Sequence, residues 1–157
     1  MSEEDIRTHY EEWKEKSGND SVKDYLWYLF QVLLGETAKQ VSSEADFHKN
    51  NFEIYSRMWE FRVFFEEKRD NQLVRLKEES RVMGEAASLP FVVDVQVVSG
   101  HCCPYCDALD QQTFSVEEVL RHHFIGSAEC TREWGCNCRY QTIPKWDEEG
   151  NAILREQ

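Results

Sequence analysis

The six cysteines of this chain lie close together in the sequence. All of them fall between positions 102 and 138 of 157: Cys102, Cys103, Cys106, Cys130, Cys136 and Cys138. Met1 is followed by Ser-Glu-Glu-Asp and not by a basic segment and an apolar run, so we expect a cytoplasmic protein without a secretion signal. In that reducing compartment a cysteine cluster more often binds a metal or does redox chemistry than forms structural disulfides.

The spacing of the cysteines fits a metal site. The C-P-Y-C motif at 103–106 has the C-x-x-C form that supplies two thiolates from one tight turn, and zinc takes four such ligands in a tetrahedron. We predict structural Zn²⁺ with Cys102 outside the ligand set; the predicted ligands are Cys103, Cys106, Cys130 and Cys138, with Cys136 as the alternate fourth ligand. Four thiolates leave no open position on the metal, so the predicted zinc stabilises the fold and does not catalyse.

The same motif supports an alternative, because C-P-Y-C after an apolar strand resembles the active site of glutaredoxins. The resemblance covers Val92 to Cys106, and Thr-Ile-Pro at 142–144 resembles the Thr-Val-Pro segment of that family. It implies a thiol-disulfide oxidoreductase in which Cys103 is the nucleophile and Cys106 resolves the mixed disulfide. The chain departs from the family in having one strand before the motif instead of a repeated βαβ pattern.

A longer segment resembles another family. An apolar strand is followed by C-P-Y-C, D-A-L-D at 107–110, T-F-S at 113–115, a short acidic helix, Cys130 and C-N-C-R at 136–139. This order is similar to the C-terminal cysteine-rich segment of Mu F-like phage minor head proteins and related bacterial proteins of unknown function. Gln111 stands where that family usually has Gly after Asp. The resemblance implies a metal-stabilised module in a structural or interaction protein, with a protein as its partner.

Other polar residues near the cysteines raise a third hypothesis, a metal-dependent nuclease of the treble-clef type. His122 and His123 end a predicted short helix, but adjacent helical residues point about 100° apart, so at most one could face a site. His101 could replace a thiolate ligand. Asp107 and Asp110 could act as paired acids, although turn formation explains them equally well. We expect surface or structural roles for these residues and a protein that is not an enzyme.

The net charge of the chain limits the classes of binding partner that we expect. The net charge is −12, and acidic residues outnumber basic ones 20 to 13 up to Ser99 and 10 to 5 beyond it. A phosphate backbone is bound by Lys and Arg, so we expect no nucleic-acid partner. The sequence has no run of about eighteen uncharged apolar residues, so we expect no membrane partner. Oligomeric state stays open.

Apolar periodicity predicts an α+β fold. Together with the cysteine positions, it divides the chain into a helical domain at 1–87, a cysteine-rich zinc module at 88–146 and a polar tail at 147–157. We expect a short helix around Ile6–Trp13 and a second at Val22–Leu34, ended by Gly35 and placed at the centre of the core because it is apolar on nearly every side. From 47 to 83 the pattern predicts one long helix or two joined near Asp70–Asn71.

The aromatic stripe of this region, which includes Trp59 and Phe64, is predicted to be ordinary core. After Pro90 the apolar period changes to two, which predicts a strand at 91–98. The sequence S-x-x-E at 115–118 predicts a capped helix from Val116 to about His123. A second strand is predicted at 136–143.

Overall fold

The computed structural model describes residues 3–101, 103–133 and 135–155. It confirms the α+β class, since six α-helices and one three-stranded antiparallel sheet make up the described part of the chain. The chain divides into two compact units, Met1–Lys39 and Gln40–Gln157. The domain limits predicted at residues 87 and 146 stay a prediction.

The first unit is a helical hairpin. Helix α1 spans Glu3–Ser17 and α2 spans Val22–Gln40, so α2 continues past the predicted stop at Gly35. The hairpin is held by aromatic rings: the Tyr25 ring lies 5.0 Å from that of Tyr10 and 5.5 Å from that of Trp13.

The prediction that α2 lies at the centre of the core is wrong, because Tyr25 is the one fully buried residue of this helix. The apolar composition of a helix sets how much of its surface could be buried, but the elements packed against the helix determine how much is buried. The large core of the chain instead belongs to the second unit, described below.

Two helices of the second unit pack against each other, and the break between them falls before Asn71, which is the second of the two alternatives that the sequence leaves open. Helix α3 spans Glu44–Glu60 and continues into a π-helical turn at Phe61–Phe65. Helix α4 spans Asn71–Ser88, and its N-cap Asp70 accepts a hydrogen bond from Leu73 N (3.0 Å).

The aromatic stripe is only partly core. The Trp59 side chain packs on the buried cluster, but Phe64 is 68% exposed and its neighbour Phe65 is 78% exposed. A π-turn adds a residue per turn and so changes the face on which the following side chains lie. The 3.6-residue rhythm of the sequence therefore fails at this point.

The sheet is built around β1, Val93–Val98, as the alternating pattern predicts. Strand β2 (Thr113–Ser115) and β3 (Arg139–Pro144) pair with it on either side, both antiparallel, in the order β2-β1-β3. The second predicted strand thus exists but begins at Arg139 and not at Cys136. The sequence did not predict β2.

Two short helices flank the sheet. Helix α5 spans Pro104–Ala108, and α6 spans Val116–His122. The predicted capping box of α6 is confirmed: Ser115 Oγ accepts from Glu118 N (3.2 Å), and the Glu118 carboxylate accepts from Ser115 N (2.8 Å).

The main core lies between α4, α6 and the sheet. Apolar side chains from each of these elements are fully buried there and lie in one cluster with the cysteines: Val82, Val95, Val97, Val119, Ile125 and Tyr140. Residues 145–155 fold back on the start of β1, where Val92 N donates to Ile153 O (2.7 Å). None of the helices in the described ranges is long and apolar enough to cross a membrane.

Candidate metal centre

Five cysteines meet in the core of the second unit. All five are free thiols and nearly inaccessible to solvent, from 1% exposed to 7% exposed: Cys103, Cys106, Cys130, Cys136 and Cys138. Cys102 lies outside the described residues. The structure therefore brings together every cysteine that the sequence assigns to the metal, including the alternate ligand.

The sulfur atoms form two sets of three. Those of Cys103, Cys106 and Cys130 all lie within 4.8 Å of one another, and so do those of Cys106, Cys136 and Cys138. Cys106 belongs to both sets. Four sulfurs bound to one tetrahedral zinc at bond lengths of about 2.3 Å stand about 3.8 Å apart, so each set has nearly the spacing that a thiolate-bound ion requires.

Helix α5 places the C-P-Y-C pair. Cys103 is its extended N-cap, Pro104 follows within the first turn, and Cys106 points from the helix into the core. Burial raises the pKa of the Cys103 thiol, but hydrogen bonds from the backbone N–H groups of Cys106 and Thr131, and from the Cys106 and Cys130 thiols, outweigh it and lower this pKa to about 6. These donors favour a thiolate at Cys103.

The other three cysteines come from the segment between α6 and β3. Burial raises the pKa of Cys130, opposed by the backbone N–H of Arg132. The pKa of Cys136 is raised well above its usual range, first by a hydrogen bond with the Cys138 side chain and then by burial. Cys138 immediately precedes β3, and its sulfur accepts a hydrogen bond from Gly100 N (3.5 Å).

One side chain of α4 holds this segment in place. Asn71 Oδ1 accepts from Cys136 N (2.9 Å), and Asn71 Nδ2 donates to Ser127 O (3.1 Å). Asn71 thereby fixes the backbone on both sides of Cys130. The sequence analysis missed it, because an Asn at the start of a helix carries no signal for a contact over fifty residues away.

Two glycines allow backbone segments to approach the centre. A Cβ on Gly100 would lie 2.6 Å from Asn137 O, and a Cβ on Gly126 would lie 2.4 Å from Asn71 O. Gly126 also has φ +62°, a left-handed backbone that favours glycine. Gly100 lets its loop approach the cysteine segment at Asn137, and Gly126 lets the loop after α6 approach the start of α4, closer than a larger residue would permit.

The histidines lie outside the two sulfur sets. His123 Nδ1 is 2.7 Å from Glu79 Oε1, and the His122 ring stacks on Phe124. His101 is exposed, with its Nδ1 3.2 Å from Asp107 Oδ1. None of the three supplies a donor atom to the two sets, which weakens the nuclease hypothesis.

The two aspartates of the D-A-L-D segment hold a loop. Asp110 Oδ1 accepts from Ser99 N (2.8 Å), and Asp107 Oδ1 accepts from Ser99 Oγ (2.8 Å). The hydrogen bond from Ser99 N lowers the pKa of Asp110. These contacts give both carboxylates the turn-forming role that the sequence left as one of two alternatives.

The sheet differs from what the glutaredoxin resemblance implies. Its three strands are antiparallel, and the described residues contain no βαβ unit. The Cys103 sulfur is buried among other sulfurs, whereas a thiol that exchanges disulfides must be reached by its substrate.

Comparisons with known proteins add no assignment. No family model matches the chain, and no curated protein or solved structure matches it.

Proposed function

We propose that this protein binds zinc through its buried cysteines and that the metal has a structural role in a protein that binds or scaffolds other proteins. The observation that carries the metal assignment is the pair of three-sulfur sets, each with all sulfurs within 4.8 Å. Free cysteines can fill a core as small apolar side chains, but sulfurs grouped at this spacing also form a donor set for a metal. A bound thiophilic ion would add its binding free energy to the stability of this region.

The donor set fits zinc. All the donors are sulfurs, and thiolates favour zinc, Cu(I) and iron–sulfur clusters over the hard cations that prefer oxygen. Backbone N–H groups of Cys106, Thr131 and Arg132 point at the sulfurs of Cys103 and Cys130. Such hydrogen bonds stabilise thiolates and orient metal ligands. The predicted ligand set, Cys103, Cys106, Cys130 and Cys138 with Cys136 as the alternate, stays a prediction. Its first three members form one sulfur set, and Cys138 and Cys136 form the other with Cys106.

A structural ion would connect α5 to the segment between α6 and β3. The cysteines come from α5, from the loop after α6 and from the residues just before β3. Metal binding and folding of this region would therefore be coupled, as in other small metal-stabilised modules. The buried position of the sulfurs supports a structural role, because a catalytic metal needs an open position that substrate can reach.

The scaffolding part of the proposal rests on the resemblance of residues 91–140 to the cysteine-rich segment of Mu F-like phage minor head proteins. It implies a protein partner, and the acidic composition, with a net charge of −12, supports a protein over a nucleic acid.

Metal content tests the proposal. The full chain, purified under reducing conditions without chelator, is expected to carry zinc by elemental mass spectrometry, and a chelator is expected to increase the number of thiols that react without denaturation. The Cys106→Ser variant is expected to lose metal, because Cys106 belongs to both sulfur sets. Metal-free wild-type protein that is fully folded would refute the structural role.

The glutaredoxin-like alternative predicts a different result. Metal-free protein would then contain a reducible Cys103–Cys106 disulfide that exchanges with glutathione, and Cys103→Ser would abolish this exchange. The depressed pKa of Cys103 is the observation that favours testing it.

A further inference from the structure

The centre contains more sulfurs than one zinc ion binds, and these sulfurs form two groups. A single structural ion takes four ligands, whereas five described cysteines line this centre. Within the described ranges, the sets whose sulfurs all lie within 4.8 Å of one another contain three cysteines each, and they share only Cys106. The sulfurs thus fall into two pairs, Cys103 with Cys130 and Cys136 with Cys138, each of which forms a three-sulfur set with the common residue Cys106.

We propose that the centre binds two thiophilic ions, one in each three-sulfur set, with the Cys106 thiolate bridging them. The inference rests on the proposed zinc function and goes beyond it in the number of ions and in the role of Cys106. A thiolate sulfur keeps further lone pairs after it binds one ion, so it can bind a second. Three thiolates hold each ion, which leaves its remaining position to another donor.

Helix position supports a central role for Cys106. Cys106 is the most buried residue of α5, at 1% exposed. It follows the N-cap residue Cys103 by three positions, so this short helix supplies a sulfur to each of the two sets. The first outer pair joins Cys103, at the start of α5, to Cys130, whose N donates to Ser127 O (3.3 Å). The second pair lies just before β3, where Cys136 N donates to Asn71 Oδ1 (2.9 Å). Each pair can therefore close on its own ion.

The stoichiometry of the full chain tests this. Native mass spectrometry of reduced protein titrated with Zn²⁺ alone is expected to reach two ions per chain, and cadmium NMR of the Cd²⁺ form is expected to give two resonances. Saturation at one ion, with one resonance, would overturn the bridged centre and leave the structural zinc proposal intact. Binding of no ion would overturn both.

Single substitutions give an independent result. Cys103→Ser and Cys138→Ser are each expected to reduce the capacity to one ion, whereas Cys106→Ser is expected to lose tight binding of both. A single ion with a spare thiol predicts instead that one of the five serine variants keeps the full wild-type capacity, and this outcome would contradict the proposal.

A matched control comes from the same region. The Ser127 hydroxyl is buried and has no hydrogen-bond partner among the described residues, so Ser127→Ala changes the packing near the centre without removing a sulfur. This variant is expected to bind as many ions as the wild type. Reduced capacity in Ser127→Ala would show that general disruption of the loop, and not the identity of the ligands, sets the stoichiometry.

Discussion

At the scale of single residues, the cysteine centre depends on positions that are not cysteines. Asn71 uses both ends of its amide to hold the backbone at Ser127 and Cys136, and Gly126 makes room for α4 to approach the same segment. Neither residue could bind a metal strongly, yet both decide where the sulfurs lie.

Replacing Asn71 by Ala is expected to destabilise the folded protein by about 1–3 kcal/mol, because two backbone groups lose their hydrogen-bond partner in a largely buried site. Zinc affinity is expected to fall in parallel. Denaturant unfolding at fixed free zinc measures the first effect, and competition with a chelator measures the second. The exposed helical residue Asn50 provides the control, since Asn50→Ala should leave both quantities nearly unchanged.

Gly126→Ala is expected to cost at least about 3 kcal/mol, because it adds a steric clash with the α4 backbone to the strain of a left-handed residue. Gly150 separates the two effects: it also has positive φ, +83°, but a Cβ there meets nothing within 4 Å. Gly150→Ala should therefore cost only the strain, about 1–2 kcal/mol. Equal losses in the two variants, measured by thermal and denaturant unfolding, would contradict the close approach seen at Gly126.

At the scale of elements, α4 protects the outer edge of β3. Glu78 accepts from Tyr140 N (3.3 Å), and Arg81 donates to Tyr140 O while its Nη2 lies 2.9 Å from the Glu78 carboxylate. Arg81 also donates a hydrogen bond to the Glu85 carboxylate (2.8 Å), and Thr142 Oγ1 donates to the same carboxylate. Charged side chains thus replace the strand that would otherwise pair with this edge.

Arg81→Ala is expected to destabilise the protein by about 2 kcal/mol, because the nearly buried Glu78 carboxylate loses its closer charged partner and keeps only Lys77, at 3.8 Å. Arg57, which pairs with Glu60 at the same spacing on an exposed helix face, is the matched control. Arg57→Ala is expected to have no measurable effect, as is typical of exposed ion pairs. Unfolding curves of the two variants, recorded side by side, test this difference.

The capping box of α6 makes stability depend on pH. Hydrogen bonds from Ser115 N and then Ser115 Oγ lower the pKa of Glu118 in the folded protein. A carboxyl group with a depressed folded pKa contributes stability above its unfolded pKa, about 4.3, and this contribution is lost as pH falls through the folded value.

The destabilisation caused by Ser115→Ala should therefore be largest near neutral pH and shrink in acid. Denaturant unfolding of wild type and variant from neutral pH to about pH 3 measures it. A loss of stability that is constant across this range would show that the Ser115 hydroxyl does not stabilise the ionised Glu118 carboxylate.

At the scale of the whole molecule, the metal centre and the apolar core are one structure. The cysteines lie in the same buried cluster as Val95, Val97 and Tyr140, and Tyr140 Oη accepts from Ile125 N (3.2 Å) in the loop that leads to Cys130. Loss of the ion should therefore loosen the sheet and α6 together, and not only the cysteine loop.

The free energy of unfolding is accordingly expected to rise with free zinc. The linkage relation gives about 2.7 kcal/mol when free zinc is a hundred times its dissociation constant. Melting temperatures measured in zinc buffers of increasing free concentration test this, with Mg²⁺ as the control ion because thiolates bind it poorly. Melting that is independent of zinc would contradict a structural metal.

The sequence by itself determined the local features of this protein. The capping signal at 115–118, the break before α4 and the alternation along β1 each predict the element that is found, because hydrogen bonds and side-chain direction within a few residues control them. The clustering and spacing of the cysteines also point to these residues as metal ligands.

Tertiary structure decided everything that depends on distant contacts. It exposes Phe64 in the π-turn, leaves Tyr25 as the one fully buried residue of α2, and brings both Cys136 and Cys138 within 4.8 Å of Cys106. It also recruits Asn71, fifty-six residues from Ser127, to hold the cysteine segment. Sequence spacing specifies which side chains lie on the same turn. The packing of α4 against the sheet and loops specifies which distant turns are in contact.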